Sequence, residues 1–252
     1  MEILGIDIGG SGIKGALVDI ETGELKTERL RIPTPVPSTP NAIAQAVKEL
    51  VNSFDYNGPI GCGFPALVIN GVVKTAANID ATWINVMAED LFTAYTELPV
   101  YLVNDADAAG IGEITFGAGK GRMDTVFLVT IGTGLGTAIF TEGKLLLNTE
   151  LGHLKMYGKS AEKYCSDAVR KAKDLSWKQW ASRFNEYLAY IEFLFSPGLI
   201  ILGGGASKKY DLYAEFLKAN AEIVPAQLRN QAGIIGAAYR AWAKHSEKNG
   251  IP

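Results

Sequence analysis

Two stretches of this chain repeat one pattern. IDIGGSGIKGALVDIETGEL starts at Ile6, and VTIGTGLGTAIFTEGKLL starts at Val129. Each reads as an apolar strand, a glycine turn, a second strand and a glycine-containing turn before a charged segment. Asp7 and Thr130 take equivalent places about 123 residues apart, a spacing that predicts two similar halves rather than a solenoid. The repeat also constrains the G-x-G-x-x-G formed by Gly10, Gly12 and Gly15. A dinucleotide site needs a helix after its glycines to receive the pyrophosphate. Here a short run rich in strand formers follows and ends at Glu21-Thr22-Gly23-Glu24, a hairpin turn. The unit is therefore strand, turn, strand.

The other elements follow from periodicity. Ile3–Ile8 and Ile13–Asp19 are predicted as the first hairpin. Four prolines (Pro33, Pro35, Pro37, Pro40) make Arg31–Pro40 an extended loop. Thr39 is a predicted N-cap with Pro40 at the first helical position, and apolar spacing carries that helix to about residue 54. Strands are expected at Ile60–Pro65 and Val100–Val103, with Gly71–Asn85 between them mostly loop or short hairpin. Asp105–Gly117 is small, alanine-rich and predicted helical. Strands at Asp124–Ile131 and Thr137–Phe140 form the second hairpin. Ser176 with Gln179 fits a capping box, opening a helix to Phe195 whose aromatics read as core. Leu199–Leu202 is a strand, and helices are expected over Asp211–Ala219 and Gln231–Lys244.

With 252 residues, 48% of them hydrophobic, the chain suits one large folded domain or two small ones. No apolar run reaches bilayer length, and MEILGIDIGG reads as a core strand rather than a signal segment. Cys62 and Cys165 make neither a disulfide framework nor a thiolate metal cluster, so a soluble cytoplasmic protein is expected. The net charge of −3 conceals an asymmetry: Lys155 to Arg183 holds eight Lys and Arg against three Asp and Glu. Such a run is either a solvated helical face or a landing strip for a polyanion.

Three glycine segments each follow an apolar strand: Gly9, Gly10, Ser11 and Gly12; Gly132, Thr133 and Gly134; and Gly203, Gly204 and Gly205. A tight glycine turn aims several backbone N–H groups one way, with no side chain to block close approach. Three of them together point to phosphate. Phosphoryl transfer also needs a base for the accepting hydroxyl and a metal ion on the phosphate oxygens. VNDAD supplies Asn104 and Asp105 at the carboxyl end of a buried strand, where ligands of α/β sheets collect. Asp105 is either that base or the cap of the next helix. Asp7, beside the first turn, suits a magnesium-bound water rather than direct ligation. Lys14 is either a phosphate partner or a surface-strand residue. Glu150 and His153 stand three residues apart, a spacing that suits sugar hydroxyls, though a structural histidine or a metal ligand fits it too.

These motifs together resemble the ROK family of sugar kinases and repressors, within the actin–hexokinase–Hsp70 superfamily. GIDIGGSGIKGALVD is similar to the family's first phosphate motif and IGTGLGTAIF, after Thr130, to its second; LGGGAS resembles the motif near the nucleoside of ATP-using relatives. NDAD resembles the catalytic segment, which implies Asp105 as base and Asn104 as sugar ligand. ELGH implies Glu150 and His153 as sugar ligands, and Asn78 in TAANID matches another sugar-contacting position. Many members follow E-x-G-H with a cysteine-rich zinc motif. Only Cys165 lies in that region here, so structural zinc is not expected. Repressor members carry an N-terminal helix-turn-helix, whereas this sequence opens on the first strand, which argues against nucleic acid as a partner. Two further stretches, CSDAVRKAKDLSWKQWASRFNEYLAYIEFLFSPGLIILGGGASK and VPAQLRNQAGIIGAAYRA, are similar to the branch of the family that phosphorylates glucose with inorganic polyphosphate.

The resemblance implies an α/β fold with two ribonuclease-H-like domains and an active-site cleft between them. The first domain is expected over 1–108, completed by the C-terminal helix 233–252, and the second over 109–232. The implied reaction passes the terminal phosphoryl group of polyphosphate to the glucose 6-hydroxyl with Mg2+. ATP is implied as a second donor, mannose as a second acceptor, and a homodimer as the assembly. A strictly ATP-dependent hexose kinase and a non-catalytic sugar sensor are the rival readings.

Overall fold

The computed structural model describes residues 1–77 and 79–250. The chain divides into two compact units, Met1–Gly112 with the segment that starts at Gln231, and Glu113–Asn230.

The first unit is built on the sheet order β3-β2-β1-β4-β7. β1 (Glu2–Gly9) and β2 (Gly12–Asp19) form the expected antiparallel hairpin, paired from Glu2↔Asp19 to Gly9↔Gly12. β3 (Leu30–Ile32) adds to the outer edge of β2. Arg31 and Ile32 therefore belong to a strand, and the proline-rich loop begins only at Pro33. β4 (Ile60–Phe64) and β7 (Val100–Asn104) run parallel to β1. α1 (Pro40–Val51) comes between β3 and β4, and the small hairpin β5 (Val68–Ile69) and β6 (Val72–Val73) with α2 (Ala88–Thr96) comes between β4 and β7. Thr39 is the N-cap of α1 with Pro40 at its first position, but the Thr39 side chain makes no capping bond. The helix buries Ile43, Val47, Leu50 and Val51 and stops three residues before Phe54. α3 (Asp105–Phe116) leaves β7 directly.

The second unit repeats the plan in the order β10-β9-β8-β13-β14. β8 (Val126–Ile131) and β9 (Leu135–Thr141) form the second glycine hairpin, and β10 (Lys144–Leu146) follows through Glu142 and Gly143, both at positive φ. A small hairpin, β11 (Lys155–Met156) and β12 (Lys159–Ser160), leads to α4 (Glu162–Cys165) and α5 (Asp167–Ala172). α6 (Trp177–Phe195) opens with the full Ser176–Gln179 capping box and buries Trp180, Phe184, Tyr187 and Ile191. These aromatics are core, as their spacing predicts.

β13 (Leu199–Gly203) lies parallel to β8 and leads into α7 (Gly204–Ser207). The third glycine segment is thus a strand-to-helix turn, unlike the two hairpins. β14 (Glu222–Pro225) pairs with β13. The helix expected over Asp211–Ala219 is replaced by two 3-10 turns, Tyr210–Leu212 and Ala214–Phe216. α6 captures that backbone instead: Asn185 bonds Phe216 O and Lys218 N, and Glu192 accepts from Asn220 N and Ala221 N. Tertiary bonds of this kind override local propensity. The last helix, α8 (Ala232–Asn249), packs in the first unit, its backbone at Ile234 and Ala237 against Gly5 and Gly61. A side chain at either glycine would collide with it. Among the described residues no helix is long and apolar enough to cross a membrane.

Candidate functional site

In the first unit the parallel strands β1, β4 and β7 end together. Asp7 pairs with Gly63, which pairs with Val103. The turn Gly9–Gly12 and the Asn104-Asp105 pair therefore leave the same edge two strands apart, about 10 Å at ordinary strand spacing.

Asn104 is buried, and its Oδ1 accepts from the N–H groups of Ala106 (2.9 Å) and Asp107 (3.2 Å), capping α3. Its Nδ2 donates to Ala66 O at 3.3 Å, which leaves one amide hydrogen. Asp105 begins the helix proper, is exposed, and accepts from Ala106 N at 2.8 Å. The main cap is thus Asn104. The Asp105 carboxylate stands at the N-terminus of α3.

Across the first hairpin, Lys14 Nζ lies 3.1 Å from Asp7 Oδ2, following the Asp7↔Lys14 register. The carboxylate beside the turn is already paired with one cation. Ser11 is exposed at the tip. A Cβ built on Gly10 meets nothing within 4 Å, and the same holds for Gly132. Neither has positive φ. Packing and conformation thus leave both positions free for a side chain, so the glycines keep open space over the two turns. A recess of about 230 Å³ adjoins the first turn, lined by Gly9, Gly10, Thr34, Ser38 and Asp80 among others.

In the second unit Thr130 sits in β8 between Gly136 and Gly203. Thr133 is exposed at the turn tip. Gly204, at φ +74°, places its α-carbon against the backbone of Ile131, 2.6 Å from its N and O to a built Cβ. The second and third glycine segments therefore meet at the ends of β8 and β13.

The ELGH segment is brought to the same place. The Leu135 carbonyl sits where a Cβ on Gly152 would be, so only glycine allows this approach. Thr137 anchors it, donating to Thr149 O at 2.5 Å and accepting from Leu151 N at 3.1 Å. His153 then stands between two carboxylates, its Nε2 3.8 Å from Glu150 and its Nδ1 3.7 Å from Glu162. Glu162 also reaches the second turn, its Oε2 2.5 Å from a Cβ built on Gly134. Burial pushes the Glu150 carboxyl above its usual range; Glu162 adds to this and His153 opposes it.

Glu162 is the residue that sequence reasoning passed over. It falls in the basic stretch, and only the return of the chain through β11 and β12 brings it to His153. That stretch touches the second turn as well, through Ala168 N donating to Gly132 O at 3.1 Å. Asp167 pairs with Arg170 and Lys171, and Arg170 stacks 4.0 Å from the Trp177 ring centre. Lys155, Lys163 and Lys173 are exposed. Asn78 lies outside the described residues.

Among the described residues no three His, Cys, Asp or Glu are grouped to hold a metal ion. A divalent cation would meet Asp7 singly, which suits Mg2+, a cation that keeps most of its waters and binds phosphate oxygens. Burial pushes the Cys165 thiol up to about 12, and its Sγ donates to Ala161 O at 3.4 Å.

The ROK family model matches residues 3–168. The chain belongs to the ROK family. Its ROK relatives include the polyphosphate glucokinase of Mycobacterium tuberculosis, 46% identical over 93% of this chain and 89% of that protein. Among solved structures, the inorganic polyphosphate/ATP-glucomannokinase of Arthrobacter sp. strain KM matches with TM-score 0.93 and 45% identity, covering 97% of this chain and 99% of that one. A ROK family glucokinase from Streptomyces griseus, solved with glucose and AMPPNP, matches with TM-score 0.82 and 26% identity, covering 96% and 100%. The two mixed sheets are those of ROK sugar kinases with the actin/hexokinase-like fold.

Proposed function

We propose that this chain transfers the terminal phosphoryl group of inorganic polyphosphate to the 6-hydroxyl of glucose, giving glucose 6-phosphate. The 46% identity with a polyphosphate glucokinase across 93% of the chain carries this reading. ATP as a second donor and mannose as a second acceptor follow from the likeness to the glucomannokinase.

The chemistry of the residues supports it. Asp105, exposed at the start of α3, takes the proton as the 6-hydroxyl attacks, a role worth about 10² to 10⁴ in rate. Asn104, Glu150 and His153 orient glucose, and Asn78 joins them by resemblance. The raised carboxyl of Glu150 favours a sugar hydroxyl over a cation as its partner. The turns Gly9–Gly12, with Ser11, and Gly132–Gly134, with Thr133, hold phosphate oxygens on backbone N–H groups. Thr130 and Gly203–Gly205 line the second of these. Mg2+ bound to the donor, with Asp7 on one of its waters, neutralises charge on the phosphate oxygens. Lys155, Lys163 and Lys173 carry the trailing donor chain past the second turn.

The assembly in this proposal is a homodimer. The outer face of α6 supports it, with Phe193 85% exposed beside Tyr190 and Leu194. The compartment is the cytoplasm, consistent with two buried free thiols. Phosphorus NMR tests the reaction: one chain-interior phosphate signal should be lost for each glucose 6-phosphate formed, while the end-group signal stays constant because every shortened chain still has two ends. Release of inorganic phosphate without a sugar phosphate would refute it.

A further inference from the structure

The cation that the sequence places at the first turn, Lys14, is engaged by Asp7. A second cation stands on that turn. β3 runs antiparallel to β2, and the register sets Arg31 opposite Lys14. The Arg31 guanidinium folds over the hairpin tip, its Nη2 donating to Ser11 O at 2.6 Å. Its plane fills the space of a side chain at position 12: a Cβ built on Gly12 lies 2.7 Å from Cζ and Nη2. Gly12 is therefore a glycine that admits Arg31 to the backbone.

Three residues on, the Thr34 hydroxyl donates to Gly9 O at 2.5 Å. Segment 31–34 thus takes up two carbonyls of the turn. The N–H groups of Gly10 and Ser11 have no acceptor among the described residues. Capping the Gly9 carbonyl polarises the peptide that carries the Gly10 N–H, and capping both carbonyls removes negative ends that would repel an anion. No carboxylate pairs with Arg31 among the described residues, and most of its five N–H donors remain available.

We propose that Arg31 binds the phosphoryl donor, as a guanidinium clamped to the Gly9–Gly12 turn that grips nonbridging oxygens of the polyphosphate chain. The inference rests on the polyphosphate reading above. A planar fork matches two phosphate oxygens at once, which an ammonium does not. Arg31 thereby supplies the positive charge that Lys14, neutralised by Asp7, does not.

The full chain and its Arg31→Gln and Arg31→Lys variants are assayed for KM and kcat over a series of KCl concentrations. Arg31→Gln should raise KM for polyphosphate about tenfold or more, the loss of a charge-assisted bond, with KM for glucose within about twofold of wild type. The slope of log KM against log salt should fall by about one, the change expected when one phosphate contact is removed. Arg31→Lys should raise KM yet keep the slope. An unchanged polyphosphate KM and slope in Arg31→Gln would overturn the inference, as would an equal rise in both substrates' KM, the mark of a loop-shaping role. If the wild type uses ATP and not polyphosphate, the underlying reading fails, and the same variants judge Arg31 by KM for ATP.

Discussion

Gly10→Ala separates a functional glycine from a structural one. The backbone at residue 10 is not left-handed, and a built Cβ meets no atom within 4 Å. Alanine there should be tolerated and even stabilising, by about 0.4–1 kcal/mol, because it restricts the unfolded chain. In a protein of this size that raises Tm by about 1–4 °C. The added methyl projects into the space assigned to donor oxygens, so it should prevent their approach to the Gly10 and Ser11 N–H groups. Losing one preorganised donor of this kind costs about 10² to 10³ in rate. Thermal unfolding and initial rates with polyphosphate, measured on one preparation, read both effects. Wild-type kcat/KM in Gly10→Ala would refute the assignment. A large fall in Tm would refute the premise that packing leaves the position free.

The remaining predictions concern other parts of the site and the fold. Asp105→Asn should lower kcat by about 10² to 10⁴ with KM for glucose little changed; a near-normal kcat would end its role as base. Glu113 is fully buried, and its carboxylate accepts from the N–H groups of Ala118, Gln227 and Leu228. Glu113→Ala orphans all three and should cost on the order of 3 kcal/mol or more, seen as a lower denaturation midpoint; an unchanged midpoint would show that other acceptors replace it. The raised carboxyl of Glu150 means that the folded state favours the protonated acid. That contribution is present below the ordinary carboxylate range and lost as pH rises through the raised value. Glu150→Gln, uncharged throughout, should therefore gain Tm relative to wild type as pH rises above the ordinary glutamate value of about 4.3; a constant difference would contradict this.

The two hairpins were legible because their signal is local. An apolar run, glycines and a second apolar run specify strand, turn and strand without help from distant residues. The Ser176–Gln179 box was legible for the same reason, and both its bonds are present. α2 gave little signal, since only Ala88 and Phe92 of its nine residues are fully buried. β14 is a four-residue edge strand ending in Pro225, and its pairing with β13 is invisible to a local window. Segment 211–219 carries helical spacing, yet Asn185 and Glu192 of α6 take the backbone groups around it. At the site, Asp105 and Glu150 were readable as motif residues. The closeness of Glu162 to His153, and of Arg31 to Gly12, depends on how later strands fold back, which spacing along the chain does not encode.

The donor comparison tests the central claim most directly: glucose 6-phosphate formation with nucleotide-free polyphosphate and with ATP, at matched glucose and Mg2+. The account predicts product with polyphosphate alone. Product with ATP and none with polyphosphate would contradict it.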